Sequence, residues 1–252
     1  MPEGRVALVT GSGTRLGYAI AEGLATEGFA LGLHYNASAR GAKALADKIR
    51  SAGGRAAPVQ QDLSAPETAG DLVAKTSEAL GGPVQVLVNS ASSFDTDSLS
   101  TLTLDTWTKL LAVNAAAPVF LMQAFAAQDL GPSGGSIVNI LDTQLTSASP
   151  DRFSYFVGKF ALDGATRLAA MELAAHQIRV NAVAPGLVLP SDQTQEEYEA
   201  RQRLTPLGQG LGPSHIVDAV RYLIGAAHVT GHTLVVDSGQ RLMGFGNAPI
   251  GR

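Results

Sequence analysis

The sequence predicts a doubly wound α/β fold: one Rossmann-type parallel sheet of about seven strands flanked by helices. Short apolar or β-branched runs alternate along the chain with longer Ala/Leu-rich segments of helical spacing. The runs are continuously apolar rather than alternating, as burial on both sheet faces requires. The first run ends in a glycine-rich turn that opens into a helix.

In chain order, the strand candidates are Arg5–Thr10, Phe29–His34, Ala56–Gln61, Val84–Asn89, Ser136–Leu141, Ile178–Ala184 and Thr233–Asp237. The helical candidates between them are Arg15–Glu27, Ser38–Ala52, Pro66–Leu80, Leu104–Gln128, Phe153–His176 and Ser214–Ala226. No internal repeat or low-complexity tract interrupts the pattern, so residues 1–252 read as a single domain. The largest polar interruption, Pro185–Thr205, follows a strand, and ligands of such sheets sit outside the carboxyl ends of the strands. A substrate lid is therefore expected within 185–213.

Composition narrows the function. Apolar side chains make up 45% of the 252 residues, enough for a well-packed core and against disorder. Charged residues are only 16%, against roughly 25% in an average domain, which suits a self-associating enzyme. Lys and Arg (18) against Asp and Glu (22) leave a net charge of −4 with no basic block, so no nucleic-acid partner is expected. The absence of cysteine excludes thiolate catalysis, disulfides and Cys-ligated metals. His228 and His232 stand four apart, but Gly231 and the strand that follows spoil helical ligand geometry, and no metal is expected. No signal peptide is evident at the N-terminus, and the apolar stretch Ala112–Ala127 is interrupted by Asn114, Pro118 and Gln123. It is expected to fall short of the ~20 residues of a membrane span, leaving a soluble cytoplasmic protein.

The turn Gly11-Ser12-Gly13-Thr14-Arg15-Leu16-Gly17 lies between strand and helix. Glycines there let backbone amides approach a pyrophosphate whose charge the helix N-terminus stabilises. A carboxylate after the second strand would bind the adenosine ribose and repel a 2′-phosphate, yet the stretch His34-Tyr35-Asn36-Ala37-Ser38 has none. NADPH is therefore favoured over NADH, with Ser38 and Arg15 able to meet the phosphate. Arg40 either joins them or is a solvated residue on the second helix. Asp62, followed by Leu63, either accepts from the adenine amino group or caps the helix starting near Ala65.

Tyr155 and Lys159 are four apart, one turn from each other on a helical face just after a strand end. A neighbouring ammonium is expected to lower the phenol from ~10 towards working pH, making Tyr155 a general acid. Thirteen residues before Tyr155 stands Asp142, either a partner in a shared titration or a loop cap with Thr143 or Ser147 as the working hydroxyl. An anionic carboxylate disfavours the oxyanion of a ketone and suits a ring nitrogen that accepts a proton. Phe94 is either a stacking platform for a planar heteroaromatic or ordinary core.

Together Thr10–Gly17, Asn89-Ser90-Ala91, Asn114, Tyr155-xxx-Lys159 and Asn181–Gly186 resemble the short-chain dehydrogenase/reductase family over essentially the whole chain. The resemblance implies NAD(P)H-dependent hydride transfer. The cofactor would lie along Gly11, Thr14, Arg15, Leu16 and Gly17, then His34, Tyr35, Asn36 and Ser38, with Asp62 and Leu63 at the adenine. Asn89, Ser90, Ala91, Lys159, Pro185 and Gly186 would complete its site, and Asn114 would hold a water that relays protons through Lys159 to Tyr155. Most members carry a serine where Asp142 stands. Arg15, Ser92-Ser93-Phe94 and Asp142 resemble the pteridine reductase branch, in which Arg15, Ser92, Phe94, Asp142, Tyr155 and Leu187 would contact a pterin. The family also implies a homotetramer, paired through the helices bearing Asn114 and Tyr155 and through Gly239–Arg252. The other functions kept open are a carbonyl reductase of a 3-oxoacyl thioester or sugar, and a dinucleotide sensor without catalysis.

Overall fold

A computed structural model describes residues 4–146, 148–190 and 194–243. Its centre is a seven-stranded parallel sheet in the order β3-β2-β1-β4-β5-β6-β7. The strands are β1 Val6–Val9, β2 Ala30–Tyr35, β3 Ala56–Gln60, β4 Val84–Asn89, β5 Gly135–Ile140, β6 Ile178–Pro185 and β7 Thr233–Val236. The Rossmann-type fold expected from the sequence holds. Strand order reverses between β1 and β4, and there the loops diverge to open a crevice.

The pleat explains the apolar runs. Along β1, Ala7 and Val9 join a core layer with Ile20, Leu45 and Ile216, whereas Val6 and Leu8 join the opposite layer with Leu72, Leu121 and Phe125. The first layer is roofed by α1 Arg15–Thr26, α2 Ala39–Ser51 and α8 Pro213–Gly225, and the second by α3 Asp71–Leu80, α5 Ala117–Ala126 and α6 Phe153–Leu173. Each fully buried Leu or Ile contributes about 1.5–3 kcal/mol.

Three elements differ from expectation. The segment read as one helix from Leu104 is α4 Leu104–Leu111, a π turn Ala112–Ala116 and α5. Pro118 has no N–H to donate to the Asn114 carbonyl four residues back, and the ladder widens there. The Pro66–Leu80 segment is a short 3₁₀ turn, Pro66–Thr68, followed by α3. The polar stretch after β6 contains a helix, α7 Gln195–Arg203, started by a capping box in which Thr194 and Glu197 satisfy each other's backbone N–H.

The membrane expectation needs correction: Leu104–Ala126 forms a helical rod of 23 residues, within which a stretch of 18 reaches a mean hydropathy of 1.4, long and apolar enough for a span by length and composition alone. Its inward residues, including Leu110, Leu121 and Phe125, are buried in this chain's own core.

Candidate active site

A cleft of about 2090 Å³ opens at the carboxyl ends of the central strands. One end is built by the glycine turn. Gly11 has φ +69°, and a Cβ there would lie 2.9 Å from the Ala91 Cα. A Cβ on Gly17 would lie 2.4 Å from the Gly11 carbonyl oxygen, so the helix start can close on the strand end only without one. Thr14 caps α1 in extended conformation without a side-chain hydrogen bond, and the first turn carries no acid. The Thr10 hydroxyl accepts from the Ser90 and Ala91 amides, both at 2.9 Å, joining the ends of β1 and β4.

His34, Asn36, Ala37 and Ser38 continue the wall with no carboxylate among them, and Asp62, Leu63, Ser90 and Ala91 line it too. Asp62 accepts from the Ser64 amide at 2.9 Å and from Asn36 Nδ2 at 3.3 Å. The Ser64 hydrogen bonds hold its carboxyl below the usual carboxylate range. Because Ala65 carries the cap of the 3₁₀ turn, Asp62 shapes a local turn and caps no helix. Of the residues expected at the cofactor, Tyr35 and Asn89 are not part of the cleft lining, and Asn89 donates to Asn139 Oδ1 at 2.8 Å. Arg40 is exposed on α2, away from the lining.

At the other end Asp142, Tyr155 and Lys159 line the same cleft. Tyr155 Oη donates to Asp142 Oδ2 at 2.9 Å, and Asp142 Oδ1 accepts from the Gln144 amide at 2.8 Å. Burial raises the Asp142 carboxyl above its ordinary range. The expected lowering of Tyr155 is not what the structure shows: burial, then the charge of Asp142, pushes the phenol well above its ordinary value. Lys159 Nζ donates instead to the Ile140 carbonyl at 2.8 Å, 5.8 Å from the Tyr155 ring centroid, and burial lowers it to about 8. A carboxylate in direct contact with the phenol outweighs an ammonium engaged elsewhere.

Asn114 belongs to the same end of the site. It is fully buried off the cleft lining, its Oδ1 accepting from Ser92 Oγ at 2.8 Å and from the Ser93 amide at 3.2 Å. Its side chain thus fixes the Ser92–Phe94 segment. Phe94 is no core residue, being 42% exposed; its ring stands edge-on to Tyr155 at 6.3 Å, with the Arg152 guanidinium 5.3 Å over it.

Arg15 adopts φ +54°, a left-handed conformation that favours glycine, and its Nη2 donates to the Pro190 carbonyl at 3.0 Å. Pro185, Gly186 and Leu187 line the cleft from β6 onward, and Leu187 N–H donates to Gln240 Oε1 at 3.1 Å. α7 is braced beside them, Tyr198 Oη donating to the Val188 carbonyl at 2.7 Å. Of the alternatives and interfaces read from sequence, Ser147 and residues 244–252 lie outside the described residues.

Sequence reading missed Arg152 and Asp97. Arg152 stands three residues before Tyr155, a spacing that could have marked it. Asp97 has no local signal: its Oδ1 accepts from the Ser154 amide at 3.1 Å and its Oδ2 from the Ser154 hydroxyl, capping α6 from a distant loop. Among the described residues no His/Cys/Asp/Glu group is suited to a metal.

A family model described as enoyl-(acyl carrier protein) reductase matches residues 12–241. Pteridine reductase 1 of Leishmania tarentolae is 37% identical, covering 96% of this chain and 98% of that protein. The chain belongs to the short-chain dehydrogenase/reductase family. Among solved structures, FolM alternative dihydrofolate reductase 1 from Brucella canis, complexed with NADP, superposes with TM-score 0.91 at 36% identity over 98% of this chain and 97% of that one. The angucycline C-6 ketoreductase LanV with bound NADP gives TM-score 0.86 at 31% identity, covering 95% and 96%. The oxidoreductase class that the sequence resemblance implied for this short-chain dehydrogenase/reductase stands.

Proposed function

We propose that this oxidoreductase is an NADPH-dependent pterin reductase. The observation that carries the reading is the Asp142–Tyr155 hydrogen bond at 2.9 Å beside the exposed ring of Phe94. A carboxyl touching the phenol suits protonation of a ring nitrogen better than stabilisation of a ketone oxyanion. The relatives named pteridine reductase and alternative dihydrofolate reductase support it.

The cleft fits NADPH. The close backbone approaches at Gly11 and Gly17 bring the start of α1 to the strand end on the cleft wall, where its amides suit a pyrophosphate, and the wall from His34 to Ser38 presents no charge to repel a 2′-phosphate. Thr14, Arg15, Leu16, Asn36, Ser38, Asp62, Leu63, Ser90, Ala91, Lys159, Pro185 and Gly186 would hold it. When bound, NADPH supplies the hydride for a pterin C=N carbon.

The chain's residues handle the proton and the ring. Phe94 offers a face for stacking, and Arg15, Ser92 and Leu187 border the same space. Tyr155 donates its phenolic proton to the ring nitrogen. Burial raises the Asp142 carboxyl, so a proton taken up there from solvent after the transfer can pass to the phenolate oxygen and return the pair to its starting state. Lys159 supports the developing phenolate by its charge.

The assay is NADPH oxidation against dihydropterins and a panel of ketones and 3-oxoacyl thioesters, with NADH in parallel. Turnover of dihydropterins with NADPH is expected. Activity confined to ketones would select the carbonyl reductase reading, and no turnover on either class the sensor.

A homotetramer is the assembly proposed with this function. Phe120 on α5 and Phe160, Leu168 and Met171 on α6 are large apolar side chains left exposed in the single chain, Met171 by 79%. Sedimentation equilibrium at four chain masses is the expected result.

A further inference from the structure

We propose that His34 is the positioning residue of the nucleotide end: as a neutral imidazole it clamps the glycine turn to β3, and its protonation weakens NADP binding. The ring, 2% exposed at the end of β2, meets two backbone groups at once. Its Nδ1 lies 3.0 Å from the Gly11 amide nitrogen, which can only donate, so Nδ1 is the acceptor. Its Nε2 lies 3.0 Å from the Gln61 carbonyl, which can only accept, so Nε2 carries the hydrogen. One tautomer satisfies both. The backbone of His34 holds the next residue of the turn as well, its carbonyl accepting from the Ser12 amide at 2.9 Å and the Ser12 hydroxyl at 3.1 Å.

A second proton on the ring would face Nδ1–H against the Gly11 N–H, two donors at hydrogen-bond distance with no acceptor between them. Gly11 has little room to retreat, because it already sits against the Ala91 backbone at positive φ. The turn amides behind it would shift, and with them the surface offered to a pyrophosphate.

The charges around the ring are few. Asp62, after β3, is the carboxylate that acts on it. From α3, Lys75 reaches the Gln61 side-chain Oε1 at 2.7 Å, and from α1 the Arg15 guanidinium is held at the Pro190 carbonyl. β1 and the glycine residues of the turn bring no charged side chain. Burial keeps the imidazole below its ordinary value, against smaller upward pulls from the Gln61 carbonyl and Asp62.

The inference rests on reading the cleft as an NADP site and is independent of the substrate, so the test reads nucleotide affinity alone. NADP⁺, stable in acid, is titrated calorimetrically between pH 7.5 and 5 into the native protein, H34N and H34Q. Asn places its Oδ1 where Nδ1 accepts from Gly11 and cannot be protonated; Gln reaches Gln61 but loses the Gly11 acceptor. Expected at pH 7.5 is weaker binding in both, with H34Q roughly tenfold weaker than H34N. As the pH falls from 7.5 to 5 the native protein should lose affinity that H34N does not lose, the shared part of the slope belonging to the 2′-phosphate.

Equal affinities of H34N and H34Q, or equal acid slopes in H34N and the native protein, would overturn the proposal. Should either variant fail to fold by near-ultraviolet circular dichroism, the ¹⁵N shifts of the native ring decide: Nε2–H supports the clamp, and Nδ1–H at pH 7.5 refutes it. Absence of NADP⁺ binding to the native protein would overturn the cofactor reading and the clamp together. Failure on pterins with the acid-sensitive binding intact would overturn only the substrate reading.

Discussion

The Tyr155 phenol donates to Asp142 across 2.9 Å, bridging the loop after β5 and the first turn of α6. The pair lies inside a buried site, where Lys159 acts by charge on Asp142 while its own ammonium donates to the Ile140 carbonyl, and Arg152 is the cation that acts on Tyr155. Replacing Asp142 by Ser restores the residue type most of the family carries. Pterin turnover should then fall at least about tenfold, within the range for losing a proton donor, while ketone turnover holds or rises. Steady-state kcat on both substrate classes checks this, and undiminished pterin turnover would remove Asp142 from the proton path.

Lys159 should leave a pH signature in stability. Its native value of about 8 lies below the ~10.4 of a free lysine, so the unfolded chain binds the extra proton between the two. Burying the ammonium costs most below pH 8, and that cost fades as pH rises towards 10. Urea midpoints of the native protein should therefore gain on those of Lys159→Met between pH 7.5 and 9.5. A constant gap would contradict the lowered value.

Asp97 holds the start of α6, and with it Tyr155, to the loop carrying Phe94. Asp97→Ala should cost about 0.5–2 kcal/mol in stability, as lost caps do, and lower kcat more than it raises the KM for NADPH. Asp97→Asn keeps an acceptor for the Ser154 amide and should recover part of kcat. A loss confined to stability would make Asp97 purely structural.

Arg15 occupies a backbone conformation costing a non-glycine residue roughly 1–2 kcal/mol. Arg15→Gly should leave the melting temperature unchanged or slightly higher, the relief being partly offset by a freer unfolded chain. Release of the Pro190 carbonyl should raise the substrate KM several-fold. Unchanged KM would show that the link to the segment after β6 has no part in binding.

Ala37 lines the cleft where a carboxylate would face a 2′-phosphate. Ala37→Asp should shift the NADPH/NADH ratio of kcat/KM towards NADH by at least about tenfold, since each 1.4 kcal/mol of repulsion is worth that factor. An unchanged ratio would place phosphate discrimination elsewhere.

What the sequence disclosed was local. Buried parallel strands are written in consecutive residues, and Tyr155 and Lys159 announce a shared face by their spacing. The widened turn at Asn114 was in principle visible through Pro118, and α7 through Thr194 and Glu197, a capping signature inside a stretch whose polarity suggested loop. Hidden from sequence were relations across long separations: Asp97 reaching Ser154, Lys159 choosing the Ile140 carbonyl over the phenol, and Asn114 turning its side chain to Ser92. The direction of the Tyr155 shift was misjudged for the same reason, since it depends on which charge makes contact.

The Thr10 hydroxyl, accepting from Ser90 and Ala91, makes the two banks of the crevice one mechanical joint. The glycine turn hangs from one side of that joint and the Ser92–Phe94 segment from the other. The spacing of the two banks is thereby fixed at their base by a single side-chain oxygen.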